Sequence, residues 1–485
     1  MPDIKTFDMI SRRDGGVSVQ DIKVEAKCDI PSESVYRVLS VQGDVVITEK
    51  NFEDGKYSYY GKLNFFVCYL DSEKNLRRHE CDTDFNGEID GLDNPKLFTT
   101  ATVERTEVDL SGIKLGLKAQ VKVKTDIIYS VKTPCFDFAD GIIVKKQGAE
   151  VSSYNRVSGT FALEEEISFS YPIEEVLCQK IKPIIKGVTA GVGLINVEGE
   201  AVLSIIALQS GEKKDIIREE RVLPFKAEIE ADFAMPTDSV YLRVNKKSFK
   251  TDVFVDENSG KTDVNISASL VFEGETESHE NVEVAVDAFS LTDRTREERR
   301  ELNFAHFNGE YSESVSVFGA VDLGEEVNFE SYTVIGSYAE VVSTEEDTVS
   351  GVYGVNVLLK TENGLSSKKA EVPFSYKLKE NEKPLSFTAI KPHVTISDKL
   401  EVKGEVVVTL VSMLPYSVTA LTDIISVGEK KKENSAISVY IAKPNEELWD
   451  ISKRLSVSPE NLSANNKELE FPLTGKERIV VYRQL

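Results

Sequence analysis

Residues 57–70 read YSYYGKLNFFVCYL, an aromatic and β-rich run with one glycine at its fifth place. Such a run favours a strand, and a lone glycine inside a strand marks a bulge or a close approach by other atoms. The phrase returns as INVEGEAVLSIIAL (195–208) and DTVSGVYGVNVLLK (347–360), with Gly61, Gly199 and Gly351 in register. A charged turn follows each, then DTDFNGEID (82–90), VLPFKAEIE (222–230) and EVPFSYKLK (371–379), which align Phe85, Phe225 and Phe374. A third phrase is LGLKAQVKVK (115–124), TDVNISASLV (262–271) and LEVKGEVVVT (400–409). Its alternation of apolar and polar residues is the period of a half-exposed antiparallel strand. The glycines are spaced by whole domains, not by solenoid units. The sequence thus predicts a mostly-β chain, with three antiparallel β domains, sandwich or open barrel, in a row. Their expected bounds are 1–138, 139–290 and 291–426, with Phe85, Phe225 and Phe374 pointing inward.

The end of the chain breaks this pattern. VGEKKKENSA (427–436) carries three consecutive lysines and reads as a linker, expected over 427–437. Residues 438–485 then read strand, helix, helix, strand. Asn445 is a good helix N-cap, and Leu448, Ile451 and Leu455 form one buried stripe at i, i+3, i+7. Ser458-Pro459-Glu460 opens a second helix with cap, first-turn proline and first-turn acid. Gly475 turns the chain into the β-branched strand Ile479–Tyr482.

The formal net charge of −24 argues against nucleic acid, whose phosphates need a basic surface. Basic and acidic residues balance from Val439 onward, so the negative charge lies on the body of the chain. No apolar run is long enough to span a membrane, and the opening MPDIKTFDMISRRDGG lacks the apolar core of a secretory signal. Cys28, Cys68, Cys81, Cys135 and Cys178 are odd in number and widely spaced, which suits reduced thiols and a cytosolic setting. There is no P-loop, no nucleophile elbow and no HExxH; His79, His279, His306 and His393 are scattered. The stretch Asp82–Asp93 fits the opening of an EF-hand loop, yet it ends in aspartate and its Phe85 aligns with core phenylalanines. A strand with an acidic turn is the better reading. No catalytic residue, metal or cofactor is expected.

Two resemblances add to this. The C-terminal segment resembles a LysM domain through Leu448, Trp449, Ile451, Lys453, Arg454, Val457, Ser458, Leu462 and Asn465, with Asn445-Glu446-Glu447 where that family has Gly-Asp-Thr. The repeated phrases, beginning VYRVLSVQGDVVIT, resemble the SPOCS repeat, and SPOCS repeats followed by LysM resemble the clostridial spore-coat morphogenetic scaffolds of the SipL type. The resemblance implies a non-enzymatic scaffold in the mother-cell cytoplasm, at the forespore surface or spore coat. Its LysM domain would dock on the coat morphogenetic ATPase SpoIVA. The partner-binding residues would be Asn445, Glu446, Glu447, Trp449, Lys453, Arg454 and Asn465, with Lys453 and Arg454 projecting and the Trp449 ring completing the small core. The alternative is a reader of peptidoglycan or chitin-type N-acetylglucosamine chains, bound between loops 443–447 and 467–475.

Overall fold

The computed structural model describes residues 5–482 apart from 170, 212–214, 257–260, 323–328, 363 and 432–435. The first six strands are β1 (Lys5–Pro31), β2 (Val35–Glu53), β3 (Lys56–Asp71), β4 (Leu76–Ile89), β5 (Lys96–Asp109) and β6 (Lys114–Phe138). They pair antiparallel into two three-stranded sheets, ordered β1-β6-β5 and β2-β3-β4. The order repeats in β7 (Ile142–Phe169), β8 (Ile173–Ala190), β9 (Leu194–Gln209), β10 (Ile216–Glu230), β11 (Ser239–Asp256) and β12 (Lys261–Ser290). It repeats again in β13 (Asp293–Val321), β14 (Ser331–Glu345), β15 (Thr348–Thr361), β16 (Gly364–Lys377), β17 (Glu382–Ile396) and β18 (Leu400–Glu429). Each set is a small sandwich.

The glycine phrases are the central strands β3, β9 and β15. Gly61 lies opposite Phe85, Gly199 opposite Phe225 and Gly351 opposite Phe374. A Cβ at any of the three glycines would run into the facing phenylalanine ring. That close approach is why the sequence pairs them: the ring covers a strand that has no side chain there, and all three phenylalanines are buried. The third phrase forms the other central strands, β6, β12 and β18. Leu117, Val121 and Val123 alternate inward on β6, as do Ile266, Ala268 and Leu270 on β12.

The three units follow one another along the chain, and they also pack against one another. Strands β1, β6, β7, β12, β13 and β18 continue past their own sandwiches, and their extensions pack together. Met9 and Cys135 of the first unit meet Ala149 and Val284 of the second and Leu302 and Phe304 of the third in one apolar cluster. Phe136, Ala288 and Ile424 form another, and Leu39, Phe66, Leu177, Ile206, Ile335 and Leu358 a third. Shared cores of this kind make the three units one body, because separating them would expose apolar surface on all three. Cys28, Cys135 and Cys178 are buried, Cys68 and Cys81 half-buried, and the Cys28 and Cys81 sulfurs lie 2.9 Å apart.

Strand β18 runs to Glu429, past the expected boundary at 426. Part of the expected linker, 432–435, lies outside the described residues. Beyond it stand β19 (Ile437–Ile441), α1 (Leu448–Leu455), α2 (Pro459–Ala464) and β20 (Arg478–Tyr482), with β19 and β20 paired antiparallel.

Candidate functional site

The C-terminal module closes over its own small core of Ile451, Val457, Leu462, Leu473, Ile479 and Val481, with Leu448 and Leu455 at its margin. The Ser458 hydroxyl caps α2 by accepting from the Asn461 N–H at 3.2 Å, with Pro459 in the first helical position. Helix α1 begins later than its sequence suggests. Its N-cap is Glu447, whose side chain makes no cap bond, while Asn445 takes a left-handed turn (φ 63°) that asparagine tolerates.

That turn is held from across the module. The Asn445 N–H donates to the Leu473 carbonyl at 2.8 Å, and the Leu473 N–H donates to the Glu446 carbonyl at 3.0 Å. The carboxylate of Glu446 is buried, contrary to its expected place in an open loop. It accepts from the Tyr440 hydroxyl at 2.8 Å and the Lys443 N–H at 2.8 Å, and it pairs with Arg454. Burial pushes this carboxyl up, but those three bonds outweigh it and hold it below its ordinary value. Asn465 bonds to Asn461 through its side chain and remains exposed.

Trp449 and Lys453 differ most from expectation. The Trp449 ring is buried, yet not in the module's own core. It packs edge-on against Phe289 of β12 with centroids 5.2 Å apart, and its Nε1–H donates to Asp287 at 2.6 Å. Lys453 does not project freely but reaches the same Asp287 at 2.6 Å and also pairs with Glu297 of β13. Lys430 donates to the Ser456 hydroxyl at 2.7 Å, and Lys145 pairs with Glu447 at 3.3 Å. The module therefore sits on the seam between the second and third units. An indole and an ammonium converging on one half-buried carboxylate are charge-assisted bonds, stronger than exposed ion pairs.

Burial raises the Asp287 carboxyl, but the bonds from Lys453 and Trp449 outweigh it and hold it below its ordinary value of 3.8. An acid held down in the seated state stabilises that state above its ordinary value, and the stabilisation is lost as pH falls through the lowered one. Acidification below 3.8 is therefore expected to unseat the module, read as a red shift in the emission of Trp449, the single tryptophan. The Asp287→Asn variant should lose that acid step; the same step in the variant would contradict the assignment.

The structure also gathers side chains that looked scattered. His279 of β12 and His306 of β13 lie with rings 5.0 Å apart. His306 Nδ1 stands 3.0 Å from both the Ser152 hydroxyl and the Glu277 carboxylate. Nothing in the local spacing signals this, because the two histidines belong to different units. The geometry is not that of a proton relay, which needs both ring nitrogens: here both contacts fall on Nδ1, and Nε2 is buried with no hydrogen-bond partner among the described residues. Donor atoms of Glu277, His279 and His306 lie within 4.8 Å of one another. Bonds to Glu277 from Ser152 at 2.6 Å, Tyr154 at 3.2 Å and the Phe307 N–H at 2.6 Å account for their approach.

Asp82 to Ile89 lie within strand β4. Alternate side chains along a strand stand about 7 Å apart, so Asp82, Asp84 and Asn86 do not converge on an ion that needs oxygens at about 2.3–2.6 Å. Asp82 pairs instead with Lys62.

No curated protein and no solved structure matches the chain. Residues 34–111, which run from β2 through β5, match the family model described as SipL, SPOCS domain. The chain thus carries a SipL-like SPOCS domain within the first of its three sandwiches.

Proposed function

We propose that the protein is a non-enzymatic assembly scaffold of endospore formation, working in the mother-cell cytoplasm at the forespore surface or spore coat. Its C-terminal module, read as a LysM domain, docks on the coat morphogenetic ATPase SpoIVA, and its β units hold other coat or forespore-surface proteins. The SPOCS match within the first unit supports the setting. The closed module supports a protein partner. The backbone bonds between Asn445, Glu446 and Leu473 zip together the two loops that would have to part around a sugar chain, and Gly475 lies against the Pro444 ring. Opening them would leave peptide groups unpaired or rehydrated.

Asn445, Glu447, Arg454 and Asn465 remain exposed on the seated module and are its contact residues for the partner. Trp449, Lys453 and Glu446 set its pose and internal order instead. No helix among the described residues is long and apolar enough to cross a membrane. A fluorescent fusion of the full chain in a sporulating clostridium is expected to encircle the forespore, and to disperse when the ATPase is absent. A fusion that follows the peptidoglycan cortex irrespective of the ATPase would refute the reading.

A further inference from the structure

Where the sandwiches face one another, strands β2, β5, β8, β11, β14 and β17 line a cavity of about 660 Å³. Each is an edge strand of its sheet, so all three units contribute. The size is that of a small-molecule site. Its charge is opposite to that of the protein as a whole.

Six cationic side chains line it against four acidic ones, and half of the cations are matched. Lys122 pairs with Glu104, Lys246 with Asp44 and Arg243 with Asp126. Lys124, Lys180 and Lys182 have no such partner among the described residues. The acids nearest to them are already taken: Glu104 and Asp126 near Lys124 by the pairs above, and Glu220 near Lys182 by Arg218. Glu340 and Glu310 also line the cavity, so the cations outnumber the acids by two; of these acids, Glu310 has its carboxyl pushed up to about 8 by burial, against the opposing effects of the Leu242 N–H and Arg243. Near neutral pH it brings little negative charge.

The lysines register the imbalance. Burial pushes Lys182 down to about 8, and the like charge of Lys180 pushes the same way. Burial and Lys122 likewise push Lys124 down. Lys124 is exposed to the cavity and Lys180 and Lys182 are half-buried; like charges gathered there repel, and a chain of net charge −24 has acids in abundance to neutralise them. Leaving them open is what an anion site requires.

We propose that this cavity binds a small polyvalent oxyanion, held by Lys124 from the first unit and by Lys180 and Lys182 from the second. The three cations are ammonium point charges, which suit phosphate or clustered carboxylate oxygens without the planar fork of arginine. Lys180 and Lys182 are two apart on one strand, so they leave it about 7 Å apart. Three ammonium groups on flexible stems facing one cavity suit an anion that carries several negative charges. Thr102, Ser337 and Thr388 add hydroxyls to the wall. Because the ligand would touch at least two units, its binding would lock them together.

The test is the thermal midpoint of the full chain in pyrophosphate and in citrate, each against sodium chloride at equal ionic strength. A ligand that binds only the folded state must raise the midpoint. The expected result is a rise of several degrees with pyrophosphate, citrate or both, the pattern telling phosphate from carboxylate chemistry. The rise should be lost in Lys182→Met and in Lys124→Met and kept in Lys62→Met, whose lysine pairs with Asp82 elsewhere. In chloride alone Lys182→Met should melt no lower than the parent, since it removes an unmatched charge and keeps the aliphatic stem. No rise beyond chloride with either anion, or a rise that survives in both cavity variants, would overturn the proposal.

Discussion

Replacing Phe225 by alanine is expected to cost about 3–5 kcal/mol, the usual range for emptying a buried phenylalanine site. Phe225 is 4% exposed and touches Phe161 and Phe272, with ring centroids 5.8 and 6.2 Å away. Its ring also fills the space opposite Gly199, where no side chain can move in to close the cavity. Phe85→Ala and Phe374→Ala should behave alike, since each faces the equivalent glycine of its unit. Urea unfolding of the three variants and the parent checks this. A loss below about 1 kcal/mol at any of the three sites, when even trimming isoleucine to valine costs 0.5–1.5, would contradict the shared architecture.

Trp449→Ala is expected to unseat the C-terminal module while leaving it folded. The indole lies outside the module's core, so its removal strips contacts with Phe289 and the bond to Asp287, not the packing of Ile451 or Leu462. Losing a buried tryptophan costs about 3–5 kcal/mol, here charged to the seam and not to the module. Amide exchange should speed up at the seam strands near Asp287 and Glu297. Amides of β19 and β20 should stay protected. Loss of protection in β19 and β20 as well would place Trp449 in the module's own core after all.

Alternation and the recurring glycine and phenylalanine made the sandwiches legible, because both are local consequences of strand geometry. The register that sets Gly61 against Phe85 was written in two phrases lying close together. What stayed hidden was long-range. Apolar residues beyond each sandwich, such as Met9, Phe136 and Phe304, look like any other strand positions, and only packing shows that they belong to shared clusters. The same holds for Trp449. A helix pattern says that a residue one place off the stripe is near the core margin, but not that Asp287 and Phe289 wait for it on another unit. Lys453 read as a projecting charge for the same reason. The later start of α1 reflects the left-handed turn at Asn445, which is not the extended backbone of a helix N-cap; that backbone occurs instead at Glu447.

We propose that this chain holds a protein through its closed C-terminal module. Calorimetric titration of the full chain with purified SpoIVA, beside titration with N-acetylglucosamine oligomers, separates the two partners. Saturable binding of the ATPase is expected, weakening at least tenfold in a variant combining Arg454→Glu and Asn465→Ala, with no heat from the sugar. Micromolar binding of the oligomers by the unaltered chain, with no binding of the ATPase, would contradict it.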